Sequence, residues 1–278
     1  MLRSMLVALD GTPSSEPVIS LALDWARRFG ARLLGLGVVD APSIERGELV
    51  SIGASGYKKH RDEVRLDAAK RHVVHLLMQF RARCAAAGVD ATTVEDVGDP
   101  AEQILREAHR CDLLLLAREI RFEFETGSYQ HRMLAHVIRA LPRPVVVVPP
   151  PEPRGGQGIM VAYGGGREAA STLQTFVLLG LTAGQEVDLV TVHRDNAKAA
   201  DIARRAGDFL TAHGVAHRLH PIASAAPPAE ILLDVVRQRR PGLLVLGAHA
   251  THAVRDRFVT SVTRAVLRAC PVPMVIGG

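Results

Sequence analysis

"MLVALDGTPSSEPVISLAL" (Met5–Leu23) and "IMVAYGGGREAASTLQTFV" (Ile159–Val177) decide the fold between them. Each opens on a strand-length apolar run, turns, and continues as a helical pattern. Three more echoes follow in the same order. "DPAEQIL" from Asp99 resembles "PPAEILL" from Pro227, and "CDLLLLA" from Cys111 resembles "PGLLVLG" from Pro241. "RALPRPVVVV" from Arg139 resembles "RACPVPMVIG" from Arg268. Four matches in one order define an internal repeat, and a repeat governs every later inference.

Between the halves lies "PPPEPRGGQG", Pro149–Gly158. Its Pro and Gly residues sustain neither helix nor sheet, so it reads as a linker. The expected domains are residues 1–149 and 159–278, joined by 150–158.

Within the first half, strands are expected near Met5–Leu9, Ala31–Val39, Thr92–Val97, Leu113–Ala117 and Val145–Val148. Helices are expected near Ser14–Phe29, Asp62–Ala87, Pro100–Arg110 and Ser128–Ala140, and the second half repeats the order with shorter connections. Alternating strands and helices with continuous apolar strands predict an α/β fold: two tandem, doubly wound, five-stranded parallel sheets. Pro at the start of each third helix suits a first turn, where the missing N–H is harmless. In such sheets ligands sit beyond the carboxyl ends of the strands.

Composition narrows the class. The chain has 278 residues, 47% of them apolar, enough for a sizeable core. The formal net charge is +5, but the basic residues are scattered and carry no interleaved aromatics, so no nucleic-acid partner is expected. Cys84, Cys111 and Cys270 are isolated, which argues against a disulfide framework. Charged Arg3 and Asp10 flank the first apolar run, and no window approaches a membrane span, so neither a signal peptide nor a membrane is expected. A cytoplasmic location is the expectation.

These residues together resemble the universal stress protein family in its tandem form. The resemblance rests on a first strand ending in Asp ("MLVALDG") and the "GDPAEQI" turn. It rests also on a fourth strand ending in Gly before a loop and a last helix, and on a Pro-flanked apolar last strand. It implies an adenine nucleotide alpha hydrolase-like fold, with the two halves packed as an intrachain pseudo-dimer through their last strands. It also implies a cytoplasmic stress-response sensor or regulator rather than an enzyme. The ligand implied is ATP or ADP, with Mg only alongside the nucleotide, and the partner a regulatory protein.

Family members that bind ATP carry G-x-x-G, nine residues, then G-[S/T]. In "GAHATHAVRDRFVTSVTRAV" (Gly247–Val266), Gly247 matches the first Gly, Ala250 replaces the second, Thr260 the third, and Ser261 matches the hydroxyl residue. Glycines allow backbone N–H groups to face phosphate oxygens, and the following helix N-terminus adds positive charge. A left-handed Ala250 would cost roughly 1–2 kcal/mol. Arg255 and Arg257 supply charge-assisted donors. The first half has Ala117 and Ile120 at the glycine positions and adds Glu119, Glu123 and Glu125, which repel phosphate. It keeps Asp10, which the resemblance places at the adenine or ribose end, where the second half has Gly164. The expected nucleotide-binding set is therefore Asp10, Gly247, Ala250, Arg255, Arg257, Thr260 and Ser261, with the second half the better phosphate end. The alternative is a nucleotide-free interaction module with both sites decayed. "YGGGRE" (Tyr163–Glu168) lacks the Ser and Asp of a pyrophosphatase loop and reads as a turn. His72 and His75 share a helix face without a third ligand, and Asp99 reads as a helix cap.

Overall fold

The computed structural model describes residues 1–45, 55–122, 127–150, 156–248 and 261–277, with the backbone alone at 55, 127–132 and 261. Contacts divide the chain into two compact units, Arg3–Val137 and Ile138–Gly278 with Met1–Leu2.

The first unit contains β1 (Ser4–Leu9), α1 (Ser15–Phe29), β2 (Arg32–Val39), α2 (Ala41–Glu45), α3 (Ser55–Ala86), β3 (Ala91–Val97), α4 (Pro100–Ala108) and β4 (Leu113–Ala117). The strand order is β3-β2-β1-β4, and the pairs β1–β2, β2–β3 and β1–β4 are parallel. All residues of β1 and β4 are buried, as a sheet covered on both faces requires. β3, at the edge, alternates half-buried and exposed positions. Long α3 lies close on β2 because β2 offers Gly35 and Gly37. A Cβ there would sit 2.6 Å from the Phe80 ring or 2.7 Å from Val73 Cγ1.

Two elements differ from expectation. Helix α3 starts at Ser55, a full two turns before Asp62. Those turns are polar and mostly exposed, so they carry no apolar period. Lys58 instead bonds Asp62 one turn on, and that hydrogen bond, aided by Arg61, holds the Asp62 carboxyl below its usual range. Helix α2 was not anticipated; Asp40 starts it by accepting from Ser43 N at 3.0 Å.

Helix α5 (Gly127–Ala140) leads into the second unit. There follow β5 (Val145–Val148), β6 (Ile159–Ala162), α6 (Arg167–Leu178), β7 (Val187–His193), α7 (Asn196–Ala212), β8 (His217–Ala223), α8 (Pro228–Arg239), β9 (Leu243–Gly247), α9 (Ser261–Ala269) and β10 (Met274–Gly277). The order is β5-β10-β9-β6-β7-β8. Every pair is parallel except β5–β10, which is antiparallel with Val146 opposite Val275. This is the pairing expected between the last strands of the halves. It draws β5, which belongs to the first repeat by sequence, into the compact unit of the second. Val146 and Val275 are both fully buried. Of the linker, 151–155 lie outside the described residues. Gly156–Gly158 are tied down, with Gln157 N on Arg240 O and Gly242 N on Gly158 O.

Candidate functional site

In the second unit, β6 lies between β9 and β7. The chain leaves β6 through α6 toward β7, and reaches β9 on the other side. A crevice opens at the carboxyl ends of strands at such a reversal. Here it is a cleft of about 270 Å³. The ends of β6 and β7 give Ala162, Tyr163, Gly164, Val190 and Val192. Helix α8 gives Pro228 and Leu232, one turn apart, and β9 and α9 give Leu246, Gly247, Val262 and Thr263.

Most of this lining is aliphatic, and no charged side chain belongs to it among the described residues. Such walls suit a flat apolar ring, whose burial contributes roughly 25 cal/mol per Å². The polar groups are few. Burial raises the Tyr163 hydroxyl above its usual value, so it stays a neutral donor. Thr263, almost fully buried, donates to Gly247 O at 3.4 Å. The first turn of α9 reaches the cleft through Val262 and Thr263, which brings the positive end of the helix dipole to one side.

Gly247 has a packing role of its own. A Cβ there would lie 2.6 Å from Ala169 N and 2.7 Å from Glu168 C, in the first turn of α6. The absence of a side chain lets β9 and α6 approach. The "YGGGRE" turn serves α6 as well, with Gly166 as N-cap and Gly165 left-handed against Ile202.

Of the expected nucleotide set, Gly247 lines the cleft. Ser261 begins α9, with only its backbone described. Ala250, Arg255, Arg257 and Thr260 lie outside the described residues, as do His249, His252, Glu123 and Glu125.

Asp10 belongs to the other unit, and its carboxylate is fully used. It accepts from Thr12 N (3.0 Å), Thr12 Oγ1 (2.9 Å), Ser15 Oγ (2.6 Å) and Arg121 N (2.6 Å). The crevice beside it measures about 20 Å³, against about 270 Å³ for the other, with Val38, Ala69, His72 and Phe122 in its lining. Phe122 and Ile120 are buried there, so the segment after β4 folds back over its own strand ends. Asp40 also lines this space, and its Oδ2 is buried without a partner among the described residues. His75 bonds Gln79, Asp99 caps α4 by accepting from Glu102 N at 3.1 Å, and no group of three metal-ligating side chains forms among the described residues.

The family model described as the universal stress protein family matches residues 1–149 and 157–276. The chain belongs to the universal stress protein family. Universal stress protein Slr1230 of Synechocystis is 21% identical over 99% of both chains. Among solved structures, a universal stress protein from Archaeoglobus fulgidus matches with a TM-score of 0.69 at 17% identity, covering 99% of this chain and 97% of that one. The Pseudomonas aeruginosa protein PA1789, described as functionally unknown, matches at 0.60 and 14% identity over 99% and 92%. At these identities the likeness establishes the tandem fold. The repeat and the alternation of strands and helices were legible in the sequence. Most cleft residues were not: Val190, Val192, Pro228, Leu232, Leu246, Val262 and Thr263 read as ordinary apolar or helical positions, and Tyr163 as part of a turn. The available signal was positional, since Val190–Val192 end a strand and Pro228–Leu232 open a helix.

Proposed function

We propose that this universal stress protein is a non-catalytic, cytoplasmic stress-response sensor or regulator that binds ATP or ADP in the second repeat. The observation that carries this reading is the cleft from Tyr163 to Thr263: about 270 Å³, aliphatic-walled, at a strand reversal, with a helix N-terminus at its side. The aliphatic walls receive the base, and the start of α9 with the 249–260 segment receives the phosphates. Gly164 contributes no carboxylate, so recognition of the sugar rests on backbone groups and Tyr163. Mg enters only with the nucleotide, because the cleft lining holds no carboxylate among the described residues. Hydrolysis is at most slow, since no general base lines the cleft among the described residues.

A second reading has its own observation. The first repeat's crevice is small and walled by Phe122, and the Asp10 carboxylate is engaged by Thr12, Ser15 and Arg121. A chain with one closed site and one half-kept motif also serves as a nucleotide-free interaction module, whose readout is a regulatory protein partner.

Native mass spectrometry of freshly purified protein, followed by calorimetric titration with ATP, separates the two. A bound adenine nucleotide, or saturable heat abolished by Leu232→Trp, supports the first. No nucleotide and no heat at millimolar ATP leaves the interaction module.

A further inference from the structure

At the opposite end of the first unit's sheet, where strands begin, a second cleft of about 450 Å³ is lined by Arg3, Ala26, Arg27, Gly30, Ala31, Arg32, Gly88, Val89 and Asp90. We propose that this cleft binds a compact polyanion, an oligophosphate or a small phosphorylated molecule, through Arg3, Arg27 and Arg32.

Three arginines at the end of a sheet have an ordinary explanation, which has to be tested first. Helices α1 and α3 both end here, and each helix C-terminus carries about half a negative charge. Arg27 answers that need: it lies in the last turn of α1, and its Nε donates to Ala87 O, just past the end of α3. Arg3 and Arg32 do not. They sit on neighbouring strands, Arg32 N bonding Arg3 O at 3.0 Å, and both are exposed. Neither side chain has a hydrogen bond or ion pair among the described residues. With one carboxylate, Asp90, in the lining, the cleft stays net positive after both helix ends are counted.

The second repeat is an internal control, because the same architecture recurs there. The bonds Leu33 N to Asp90 O and Val187 N to Ala216 O correspond, as do Asp112 N to Ser4 O and Gly242 N to Gly158 O. Arg3 therefore answers to Gln157, Arg32 to Glu186 and Asp90 to Ala216. Glu186 is paired with Arg218 at 2.9 Å. The second copy folds with a carboxylate where the first has Arg32, and without the Arg3 charge. The architecture does not require these two arginines; they are particular to the first repeat.

Guanidinium forks such as those of Arg3 and Arg32, unpaired among the described residues, match the oxygen geometry of phosphate, and bidentate pairs of this kind are the strong ones. The apolar lining is limited to Ala26, Ala31 and Val89, with no aromatic or long aliphatic wall to grip a ring. The ligand is therefore recognised by charge.

The test is calorimetric titration of the full chain with inorganic tripolyphosphate, without divalent metal, at 50 and 200 mM salt. Saturable binding is expected, weaker at the higher salt. Arg3→Gln with Arg32→Gln should weaken it at least tenfold, and Arg32→Glu, which installs the second repeat's residue type, should do the same. Arg218→Gln, at the matching end of the second repeat, should leave it unchanged. Because the Arg3 and Arg32 side chains make no hydrogen bond or ion pair among the described residues, the melting temperatures of these variants should stay close to the wild-type value. The proposal is overturned by absence of heat at millimolar tripolyphosphate, or by binding that survives Arg3→Gln/Arg32→Gln.

Discussion

Replacing Gly247 by Ala distinguishes a packing glycine from a phosphate-loop glycine. The added Cβ would meet Ala169 N at 2.6 Å, Glu168 C at 2.7 Å and Ala169 Cα at 2.9 Å. All three are backbone atoms, so no side-chain rotation relieves the overlap. To reach ordinary contact near 3.4 Å, the start of α6 must retreat from β9 by about 0.8 Å. Overpacking of this kind costs 1–3 kcal/mol, and backbone obstruction places it at about 3 kcal/mol. At roughly 2–4 °C per kcal/mol, the melting temperature should fall by about 6–12 °C. Gly56→Ala is the matched control. Gly56 lies in the exposed first turn of α3, with nothing within 4 Å of a built Cβ and no positive φ. There the same change should stabilise by up to about 1 kcal/mol. Scanning calorimetry without nucleotide reads both. If Gly247→Ala melts within 1 °C of wild type and loses only ATP binding, the close approach of β9 and α6 is not what selects glycine there.

Val275→Asp places a carboxylate on a fully buried strand opposite Val146; hydrogen exchange should show β5 and β10 amides losing protection before those of β6 and β7. Phe122→Ala should destabilise by about 3–5 kcal/mol in chemical denaturation and open the first repeat's crevice to small aromatic probes; an unchanged midpoint would mean the ring is not packed. Burial raises the Cys111 thiol to about 11, with Cys84 shifted the same way. The unfolded thiol ionises first, so stability should fall between about pH 8.5 and 11, by roughly 2–3 kcal/mol for Cys111. A Cys111→Ala chain melted across that range should lack this part of the slope.

Much of the fold was legible because the sequence states it twice. The runs Leu113–Ala117 and Leu243–Gly247 are apolar at every position, which only a sheet covered on both faces accommodates. The start of α3 was illegible because its first turns present no apolar face. The folding back of Ile120–Phe122 was illegible for a related reason: a Phe within "REIRFEFE" reads as a charged loop until its burial is seen. Of the site, Gly247 and the start of α9 at Ser261 were visible as motif fragments, while the aliphatic walls carry no pattern apart from that of the core. Asp10 illustrates a different limit. Its position at the end of β1 was plain, but the hydrogen bonds that occupy it come from Thr12 and Ser15 nearby and from Arg121 far along the chain.

The antiparallel seam also sets a timetable for biosynthesis. Val146 meets its partner Val275 about 130 residues later in the chain. At ribosomal rates of about 5–20 residues per second, one flank of the Val145–Val148 strand waits roughly 6–26 s for the chain that covers it. Four consecutive valines with an unpaired edge are a template for pairing with a neighbouring nascent chain. The Pro-Arg-Pro just before this strand and the Pro-Pro-Pro just after it cannot extend such pairing, so the exposed template is held to four residues while it waits.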